Sequence, residues 1–596
     1  MGWYRAQLRL GIHAVQRVRR ELGGELFFCS TQSTLNLTPP NHWQKTTRYF
    51  GHHHFPIIDH PPDWHLNPFT AERVSGIAKS WWQVSDFESG AGDIKTVWEA
   101  SRFDWVLAFA QRAATGSAGD LNRLNVWLAD WVKQNPAYCG PNWKCGQEAS
   151  IRVLHLMIAA RFLQQDKSPQ QELVLFIEAH LARIAPTIDY AVGQDNNHAT
   201  SEAVALFAGG AWLHAHGVKE GEHWARLGRK WLEHRVACLL EPTGSFSQHS
   251  VNYHRLMLDT LSVAELWRVW LALPRFSESF HERAKAATHW LHVMINPDTG
   301  DAPNLGANDG ANLLPLTNAD YRDYRPSAAL AAQVFFGESV YSDVKLVQNH
   351  LAWLGLKGSA DASSKPLSGY NPREPIFQAA GYIVLHKGPW KLLFCYPFYR
   401  FRPGHCDALH IDLWHGSINL LRDAGSFSYA GDLKTSDYFT GCAAHNTVQF
   451  DSREPMPKVS RFLRGEWLEA EGVKLSESDL ADSLSASAGY RDWHGATHYR
   501  ELELSESGLR VTDHISGFRK HAVLRWRLAP GDWQVQGHSV TNQSFNIHIE
   551  STAQIEKIQL VNAWESRYYF DKQPVKVLEV HVLKPSRFNT LLRQLV

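Results

Sequence analysis

The stretch RPGHCDALHIDLWHGSINLLRDAGSFSY (residues 402–429), with CAAHNTVQFD (residues 442–451) after it, decides the fold class of the second half of the chain. Apolar and polar residues alternate along both segments, and this alternation predicts short β-strands. The same pattern continues to the C-terminus in short segments separated by turns, with no helical period between them. The sequence therefore predicts an antiparallel β-sandwich over residues 375–596.

Histidine and aspartate residues are concentrated in this stretch. Side chains two positions apart share a face of a strand, so His405 and Asp407 are expected to point the same way. Asp423 lies near the end of the next apolar run, and His445 opens another. Three neighbouring strands would bring Asp407, Asp423 and His445 together as metal ligands.

Two further polar residues of the stretch receive a structural interpretation. We expect His410 and Asp412 to be ordinary strand residues on the opposite face. Cys406 should face away from its neighbours on either side. The chain has 7 cysteines and no CxxC pair, which argues against a disulfide framework and against a zinc finger.

The first half of the chain has a different pattern. Residues 93–356 contain about ten amphipathic segments of helical period in series, typical of paired helices wound into a toroid or solenoid. The start of the chain is basic and amphipathic, as in a short docking helix, and residues 25–92 are poorly periodic, so residues 1–92 are interpreted as an extended and helical entry segment. The polar Ser, Gly and Pro residues of 357–374 predict a linker. A groove where the two domains meet is the expected site.

Composition excludes several function classes. The 596 residues include 60 basic and 60 acidic residues, so the chain has no excess positive charge that would favour binding to nucleic acid. No run of about 18 apolar residues predicts a transmembrane helix. The start has no signal peptide, so the chain as given is expected to be soluble and cytoplasmic, or periplasmic if its start is misassigned. The 24 Trp and 32 His residues suggest sugar binding, although most of the Trp residues are expected in the core.

Two segments of the helical half carry candidate catalytic residues. In GQDNNHATSEA, Asn197 and His198 lie at a predicted helix start, which favours an anion, although Asn196 or Asn197 as a simple N-cap explains the pattern too. In FSQHSVNYHRLML, His249 and Tyr253 are spaced i, i+4 and could share a helix face. A buried structural tyrosine is the alternative there.

This set of residues points to a reaction class. Asn197, His198 and Tyr253 supply a neutral donor, an imidazole and a phenol, without the carboxylate pair that glycoside hydrolysis normally needs. Such groups suit β-elimination at a uronic acid, where donors neutralise the carboxylate and a His or Tyr accepts the C5 proton.

Three other residues are candidate substrate contacts with structural alternatives. Trp143 could stack on a sugar ring, and Arg152 could pair with a uronate, although an i, i+4 pair with Glu148 explains the arginine equally well. Asp309 could touch sugar, although its Asp-Gly context is typical of a turn. We include His249 with these as a substrate-binding candidate.

The combination of NNHATSEA, SQHSVNYHRLMLD, RPGHCDALHIDLWHGSINLLRDAGSFSY and HNTVQFD resembles the heparinase II/III-like polysaccharide lyases. The resemblance implies an incomplete (α/α) toroid followed by a C-terminal antiparallel β-sandwich. It also implies a lyase that cleaves a uronic-acid-containing, anionic polysaccharide and leaves 4,5-unsaturated uronate ends.

The resemblance also implies residue roles. Asn197 and His405 would neutralise the substrate carboxylate. Tyr253 would be the general acid, and the general base too for syn elimination, while His198 would be the base for anti elimination.

Asp407, Asp423 and His445 match the family's metal positions, usually occupied by a structural zinc ion. Family members often carry His where this chain has Asp407, so calcium is the alternative metal.

Two other functions fit parts of the pattern. A non-catalytic glycan-binding or exopolysaccharide-assembly protein could use the same scaffold. A toroid glycoside hydrolase would need an Asp/Glu pair facing the groove, and the sequence offers no clear pair.

Overall fold

The computed structural model describes residues 22–31, 33–57, 59–85, 92–356, 374–430, 432–460, 462–478 and 482–595. The basic amphipathic start and almost all of the predicted linker, residues 357–373, lie outside these ranges. Within them, no helix is both long enough and apolar enough to cross a membrane.

Helices dominate the chain up to residue 353, as the periodicity predicts. Thirteen α-helices are described there, numbered in chain order: α1 Lys95–Ser101, α2 Asp104–Ala114, α3 Ala118–Gln134, α4 Gly146–Phe162, α5 Gln171–Ile184, α6 Ile188–Val192, α7 Asn197–Val204, α8 Gly210–Ala215, α9 Glu220–Leu239, α10 Val251–Trp270, α11 Glu278–Met294, α12 Arg325–Phe336 and α13 Lys345–Trp353. A π-helical turn, Ala205–Gly209, joins α7 to α8.

Neighbouring helices pack against each other in series. Helix α4 contacts α2, α5 and α7, and α9 contacts α7 and α8. Almost every residue of α4 is buried, including its polar ones, so this helix lies inside the helical body rather than on its surface. Gly228 of α9 lets the helix backbones approach closely, because a Cβ there would collide with the backbone of Ala203 and Phe207.

Strands dominate the chain from residue 376 onwards. They are β1 Ile376–Ala379, β2 Tyr382–Lys387, β3 Trp390–Cys395, β4 Ile411–His415, β5 Ile418–Leu421, β6 Val448–Phe450, β7 Lys458–Ser460, β8 Leu463–Arg464, β9 Glu471–Ser478, β10 Ser483–Arg491, β11 Thr497–Ser505, β12 Gly508–Ser516, β13 Ala522–Arg527, β14 Gln534–Gln536, β15 Ser539–Thr541, β16 Phe545–Ser551, β17 Lys557–Tyr568, β18 Asp571–Val582 and β19 Ser586–Gln594. One further helix, α14, covers Leu433–Thr440.

These strands form four antiparallel sheets. Strands β1 to β5 make one sheet in sequence order, and an eight-stranded sheet has the order β14-β15-β16-β19-β12-β11-β10-β9. A third sheet has the order β17-β18-β13-β6, and β7 pairs with β8 alone. One hydrophobic core contains side chains from the three larger sheets, such as Leu392, Leu502 and Leu578, as alternating inward-facing residues require.

The chain divides into two compact units, and the division differs from the predicted domain boundary. Residues 241–254 and 289–309 come from the helical half of the chain, yet they cluster with residues 366–596. Tyr253 and Asp309 therefore belong to the same unit as the β-sheets, whereas Asn197 belongs to the other unit.

Candidate active site and metal group

The segment from Arg400 to His410 is irregular, and the prediction of a strand there is wrong. Strand β4 begins only at Ile411, and Leu409 has a φ of 60°. The side-chain alternation used to place His405, Asp407 and His410 therefore does not apply. The buried Arg500 guanidinium holds this loop by donating to Leu409 O at 2.6 Å.

A buried His–Asp–His group lies next to this loop. The ligand atoms of His410, Asp423 and His445 all lie within 4.8 Å of one another, and the three residues are fully buried. Asp423 and His445 were predicted as metal ligands. His410 was predicted to be an ordinary strand residue on the opposite face, and this was wrong, because it points into the same group.

Asp423 and His445 form the tightest contact in the group. His445 Nδ1 lies 2.8 Å from Asp423 Oδ2, and Asp423 Oδ1 accepts a hydrogen bond from Gly425 N at 2.8 Å. Burial alone would raise the pKa of Asp423, but His445 holds it below the usual range. Burial alone would lower the pKa of His445, but Asp423 raises it. The pair is therefore a charge-assisted hydrogen bond in a dry site.

His410 differs from His445 in its tautomer. Its Nδ1 accepts a hydrogen bond from Asn446 N at 2.9 Å, so the ring proton of the neutral imidazole lies on Nε2. Burial lowers the pKa of His410 to about 3, which keeps it neutral. Nε2 lies 3.7 Å from Asp423 Oδ2, beyond hydrogen-bond distance, and has no hydrogen-bond partner among the described residues. A protonated Nε2 is a poor metal ligand, so His410 suits a supporting role better than a coordinating one.

The group fits a divalent metal in other respects. The contact between His445 and Asp423 places an imidazole nitrogen 2.8 Å from a carboxylate oxygen, and the ligand atoms of the whole group lie within 4.8 Å of one another, as the donors around one ion must.

The predicted ligand set was Asp407, Asp423 and His445. The structure clusters Asp423 and His445 with His410 instead of Asp407. Burial raises the pKa of Asp407 to about 6, and Asp407 also interacts electrostatically with His445 and Asp423.

Asp412 has the structural role predicted for it. It lies in β4, where its Oδ1 accepts hydrogen bonds from Trp414 Nε1 at 2.6 Å and Asn419 Nδ2 at 2.8 Å.

His405 lies beside the group with its ring centroid 5.5 Å from that of His445. Its Nε2 is 3.5 Å from Ser426 Oγ, and its Nδ1 has no hydrogen-bond partner among the described residues. Burial lowers the pKa of His405 to about 3, so the imidazole is neutral and has one N–H to donate.

Tyr253 lies in the first turn of α10, in the same unit. Its hydroxyl is 3.1 Å from the Tyr429 hydroxyl. Burial raises its pKa well above the usual value, and the hydrogen-bonded Asp309 and Tyr429 raise it further. The phenol is therefore held protonated, as a proton donor must be. Tyr429 lies in the quoted SFSY motif but was not predicted as a site residue.

The loop of residues 304–309 connects Tyr253 with His405. Ser250 Oγ accepts from Tyr253 N at 3.1 Å and donates to Ala307 O, while Ser426 Oγ, next to His405, donates to Gly306 O at 3.3 Å. Gly306 has a φ of 74°, and a Cβ there would collide with His249 O. The loop thus fixes the start of α10 against the segment that carries Ser426.

The predicted pairing of His249 with Tyr253 on one helix face is wrong. Helix α10 begins at Val251, and His249 precedes it with a φ of 49°. Its ring packs edge-on against Tyr399 at 5.5 Å, and burial lowers its pKa to about 4. Asp309 is buried beside the Tyr253 hydroxyl, which makes it more than the turn residue that its context suggests.

Asn197 and His198 lie at the start of α7, as predicted. Asn196 is the N-cap and its side chain accepts from His198 N at 3.0 Å, so the capping alternative is confirmed. Asn197 is buried, and His198 Nδ1 lies 4.0 Å from Cys145 Sγ. Their catalytic roles stay predictions, because they belong to the other unit.

Trp143 and Arg152 are structural, and their predicted substrate contacts are wrong. Both side chains are 0% exposed. Trp143 Nε1 donates to Asn135 O at 2.9 Å, and Arg152 donates to His180 Nε2 at 2.9 Å and Asn142 O at 2.7 Å. Glu148 forms its ion pair with Arg102, at 2.8 Å, and acts on Arg152 only through its charge.

Two family models match this chain over most of its length. Heparinase II/III N-terminus matches residues 45–325, and Heparinase II/III-like, C-terminal, matches residues 371–587. The chain belongs to the heparinase II/III-like family. The predicted resemblance is confirmed, and with it the assignment to the polysaccharide lyases.

Solved structures of this fold are distant in sequence. A heparinase III crystal structure has a TM-score of 0.66 at 15% identity, with 99% of this chain and 90% of that chain covered. A heparan sulfate lyase from Pedobacter heparinus has a TM-score of 0.53 at 17% identity, covering 92% and 81%. A Streptomyces coelicolor chondroitin AC lyase, in complex with chondroitin sulphate, has a TM-score of 0.50 at 10% identity, covering 83% and 74%.

These likenesses confirm the predicted fold class, a helical toroid-like domain followed by antiparallel β-sheets. No curated protein sequence matches the chain.

Proposed function

We propose that this polysaccharide lyase cleaves a uronic-acid-containing glycan by β-elimination, with Tyr253 as the general acid and His405 as a donor to the uronate carboxylate. The C5 proton leaves to a base, the C4–O bond breaks, and the leaving oxygen takes a proton. The product is a 4,5-unsaturated uronate and a new chain end. The observation that carries the proposal is the buried, protonated Tyr253 hydroxyl between Asp309 and Tyr429.

The environment of Tyr253 supports the acid role. A phenol whose pKa is raised by a neighbouring carboxylate gives up its proton only to a strongly basic atom, such as the alkoxide that forms when the C4–O bond breaks. Asp309 accepts the hydroxyl hydrogen in the resting state and so orients it. Tyr429 fixes the oxygen from a second direction.

His405 suits the carboxylate-neutralising role because it is neutral. A neutral imidazole N–H can share its proton with the substrate carboxylate as negative charge develops in the enolate-like transition state. Its Nδ1 is without a described partner and is the atom available for that hydrogen bond. Asn197 is proposed as a second donor and His198 as the base for an anti substrate.

We propose a structural metal next to His405, held by Asp423 and His445 with Asp407 as the third ligand. Nitrogen from His445 and carboxylate oxygen together suit zinc, with calcium as the alternative because of the two carboxylates. His410 lies beside Asp423, outside the proposed coordination sphere. When bound, the ion would supply rigidity to the loop that carries His405.

An absorbance assay tests the activity. Heparan sulfate, chondroitin, alginate and bacterial exopolysaccharides are incubated with the protein, and the ultraviolet absorbance of the unsaturated uronate is followed. Wild-type protein is expected to produce it on at least one polymer, and Tyr253→Phe is expected to bind that polymer without turnover. Equal polymer binding by both proteins, with no absorbance from either, would instead favour a non-catalytic glycan-binding protein.

A further inference from the structure

A small hairpin near the candidate site exposes apolar side chains. Its described part consists of β7, Phe462 and β8, in which Val459 is 64% exposed, Phe462 44% and Leu463 38%. Trp467, three residues after β8, is 39% exposed. An isolated two-stranded hairpin is marginal in water, and apolar groups on its surface do not stabilise it. Contacts elsewhere must therefore hold it in place.

The first contact links the hairpin to Tyr253. The Phe462 ring packs edge-on against Tyr429, with centroids 5.5 Å apart and an interplanar angle of 85°. Tyr429 is the residue whose hydroxyl lies 3.1 Å from that of Tyr253. One aromatic ring therefore separates the exposed Phe462 from the proposed general acid.

The second contact links the hairpin to His405. The buried Arg464 of β8 donates from Nη2 to Thr440 O at 2.6 Å, and the same carbonyl accepts from Cys406 N at 2.9 Å. Arg464 Nε donates to Gly404 O at 3.4 Å. The hairpin is thus tied to the residues on both sides of His405, and it borders the two proposed catalytic groups.

The described side chains of the hairpin indicate which part of a ligand it suits. Lys458 Nζ is paired with Asp437 Oδ1 at 2.6 Å, and Arg464 is buried on carbonyl oxygens. These two cations are engaged within the protein, and the exposed side chains of Val459, Phe462 and Leu463 present apolar and aromatic surface. The C–H face of a sugar ring is the part of a polysaccharide that packs against an aromatic side chain.

We propose that Phe462 forms a stacking subsite for the sugar ring next to the uronate that is cleaved. The subsite rests on the proposed lyase function, because its position is defined by Tyr253 and His405. It holds the polymer by its apolar ring face, while the catalytic groups bind the carboxylate. Its contribution is to binding of a chain longer than the reacting unit.

Kinetics on size-defined uronate oligosaccharides tests the subsite. Phe462→Ala is expected to raise KM about tenfold on a substrate long enough to reach the hairpin, with a much smaller change in kcat, since burying part of a phenyl ring is worth about that factor. Phe462→Trp should restore KM. Trp493→Ala is the matched control, because Trp493 is 52% exposed in the same unit and lies outside the hairpin.

A binding titration separates this proposal from the lyase proposal. The Tyr253→Phe protein, with and without Phe462→Ala, is titrated with the same oligosaccharides by calorimetry. A roughly tenfold weaker Kd for the double variant supports the subsite even if no polymer is cleaved. Equal affinity, or no binding at all, overturns it. A dimer in light scattering that Phe462→Ala converts to a monomer would assign the hairpin to a second copy of the chain, and would overturn it too.

Discussion

The Tyr253 hydroxyl lies 3.1 Å from the Tyr429 hydroxyl, although the two residues are 176 positions apart in sequence. Tyr429 is itself held, since its backbone N–H donates to Tyr569 Oη at 2.8 Å. The proposed acid is therefore positioned by a second tyrosine that is fixed by a third.

Tyr253→Phe and Tyr429→Phe should have different effects on turnover. Removing the proton donor should lower kcat by about 10³-fold, within the range for general acid catalysis. Removing only the supporting hydroxyl should lower it by about five- to tenfold, the cost of one hydrogen bond. Steady-state kinetics on a cleaved polymer measures both, and circular dichroism checks that each variant is folded. Equal losses in the two variants would contradict the acid role of Tyr253.

Asp309→Asn should move the alkaline limb of the pH–rate profile. The Asp309 charge raises the pKa of Tyr253, so its removal lowers that pKa. If the protonated phenol is the active form, activity should then be lost at a lower pH than in wild type, by about one unit. The measurement is kcat/KM against pH from 6 upwards, with Asp412→Asn as a control for loss of another buried carboxylate. An unshifted limb would argue against Asp309 as the partner.

Metal analysis distinguishes the proposed ligands from their neighbours. Asp423→Ala and His445→Ala should abolish metal binding, and so should Asp407→Ala if it is the third ligand, as measured by elemental analysis of purified protein. His410→Ala should retain metal with weaker affinity, about 10- to 100-fold, as expected of a supporting residue. Chelator treatment should lower the Tm of the wild-type protein and leave the Tm of the Asp423→Ala variant unchanged. Full metal loss in His410→Ala, with none in Asp407→Ala, would reverse the two assignments.

Stability at low pH should depend on a buried ion pair between β11 and β12. Asp513 accepts hydrogen bonds from Arg500 Nε at 2.6 Å, and His498 Nε2 lies 2.7 Å from the same oxygen. Burial alone would raise the pKa of Asp513, but Arg500 and His498 lower it to about 2. Since the folded pKa lies below the unfolded value near 3.8, the stabilisation is present above that pH and is lost as pH falls towards 2.

Asp513→Asn should therefore lower the free energy of unfolding at neutral pH by about 3 kcal/mol and flatten its dependence on acid pH. Denaturant titrations between pH 2 and 7 measure this. Arg500 also donates to Leu409 O and Asn446 O at 2.6 and 2.7 Å, so metal affinity should weaken too. Asp451→Asn offers a contrast, because the partly exposed Asp451 carboxylate is held by the backbone N–H groups of Arg519, Lys520 and His521 instead of by a buried arginine.

Trp143→Ala should act on stability alone. The ring is fully buried against His180, with centroids 4.6 Å apart, and truncation should lower the free energy of unfolding by about 3–5 kcal/mol. KM for a cleaved polymer should stay at the wild-type value at a temperature where the variant is folded. A raised KM would restore the sugar-stacking role that burial excludes.

Local sequence determined much of the fold. A helix buries one stripe of its side chains, and a strand buries one face. The helical period over residues 93–356 and the strand alternation after residue 375 reflect these two requirements, so both halves could be predicted without tertiary information. The family resemblance rested on the motifs around Asn197, Tyr253, His405 and Asp423. These could be recognised because the spacing of residues within a short motif can be read from a single sequence.

Other features were decided only by tertiary structure. The alternation rule placed His410 on the wrong face because the loop before β4 is shaped by Arg500, which comes from a distant strand. Burial of Trp143 and Arg152 depends on the packing of α5, whose His180 contacts both side chains, and the pattern around either residue does not reveal that packing.

The surroundings of Tyr253 were also decided by tertiary structure. Its hydroxyl meets Asp309 and Tyr429 because the loop of residues 304–309 folds against the start of α10. The sequence by itself supplied the reacting groups, and long-range packing decided which of them share a site.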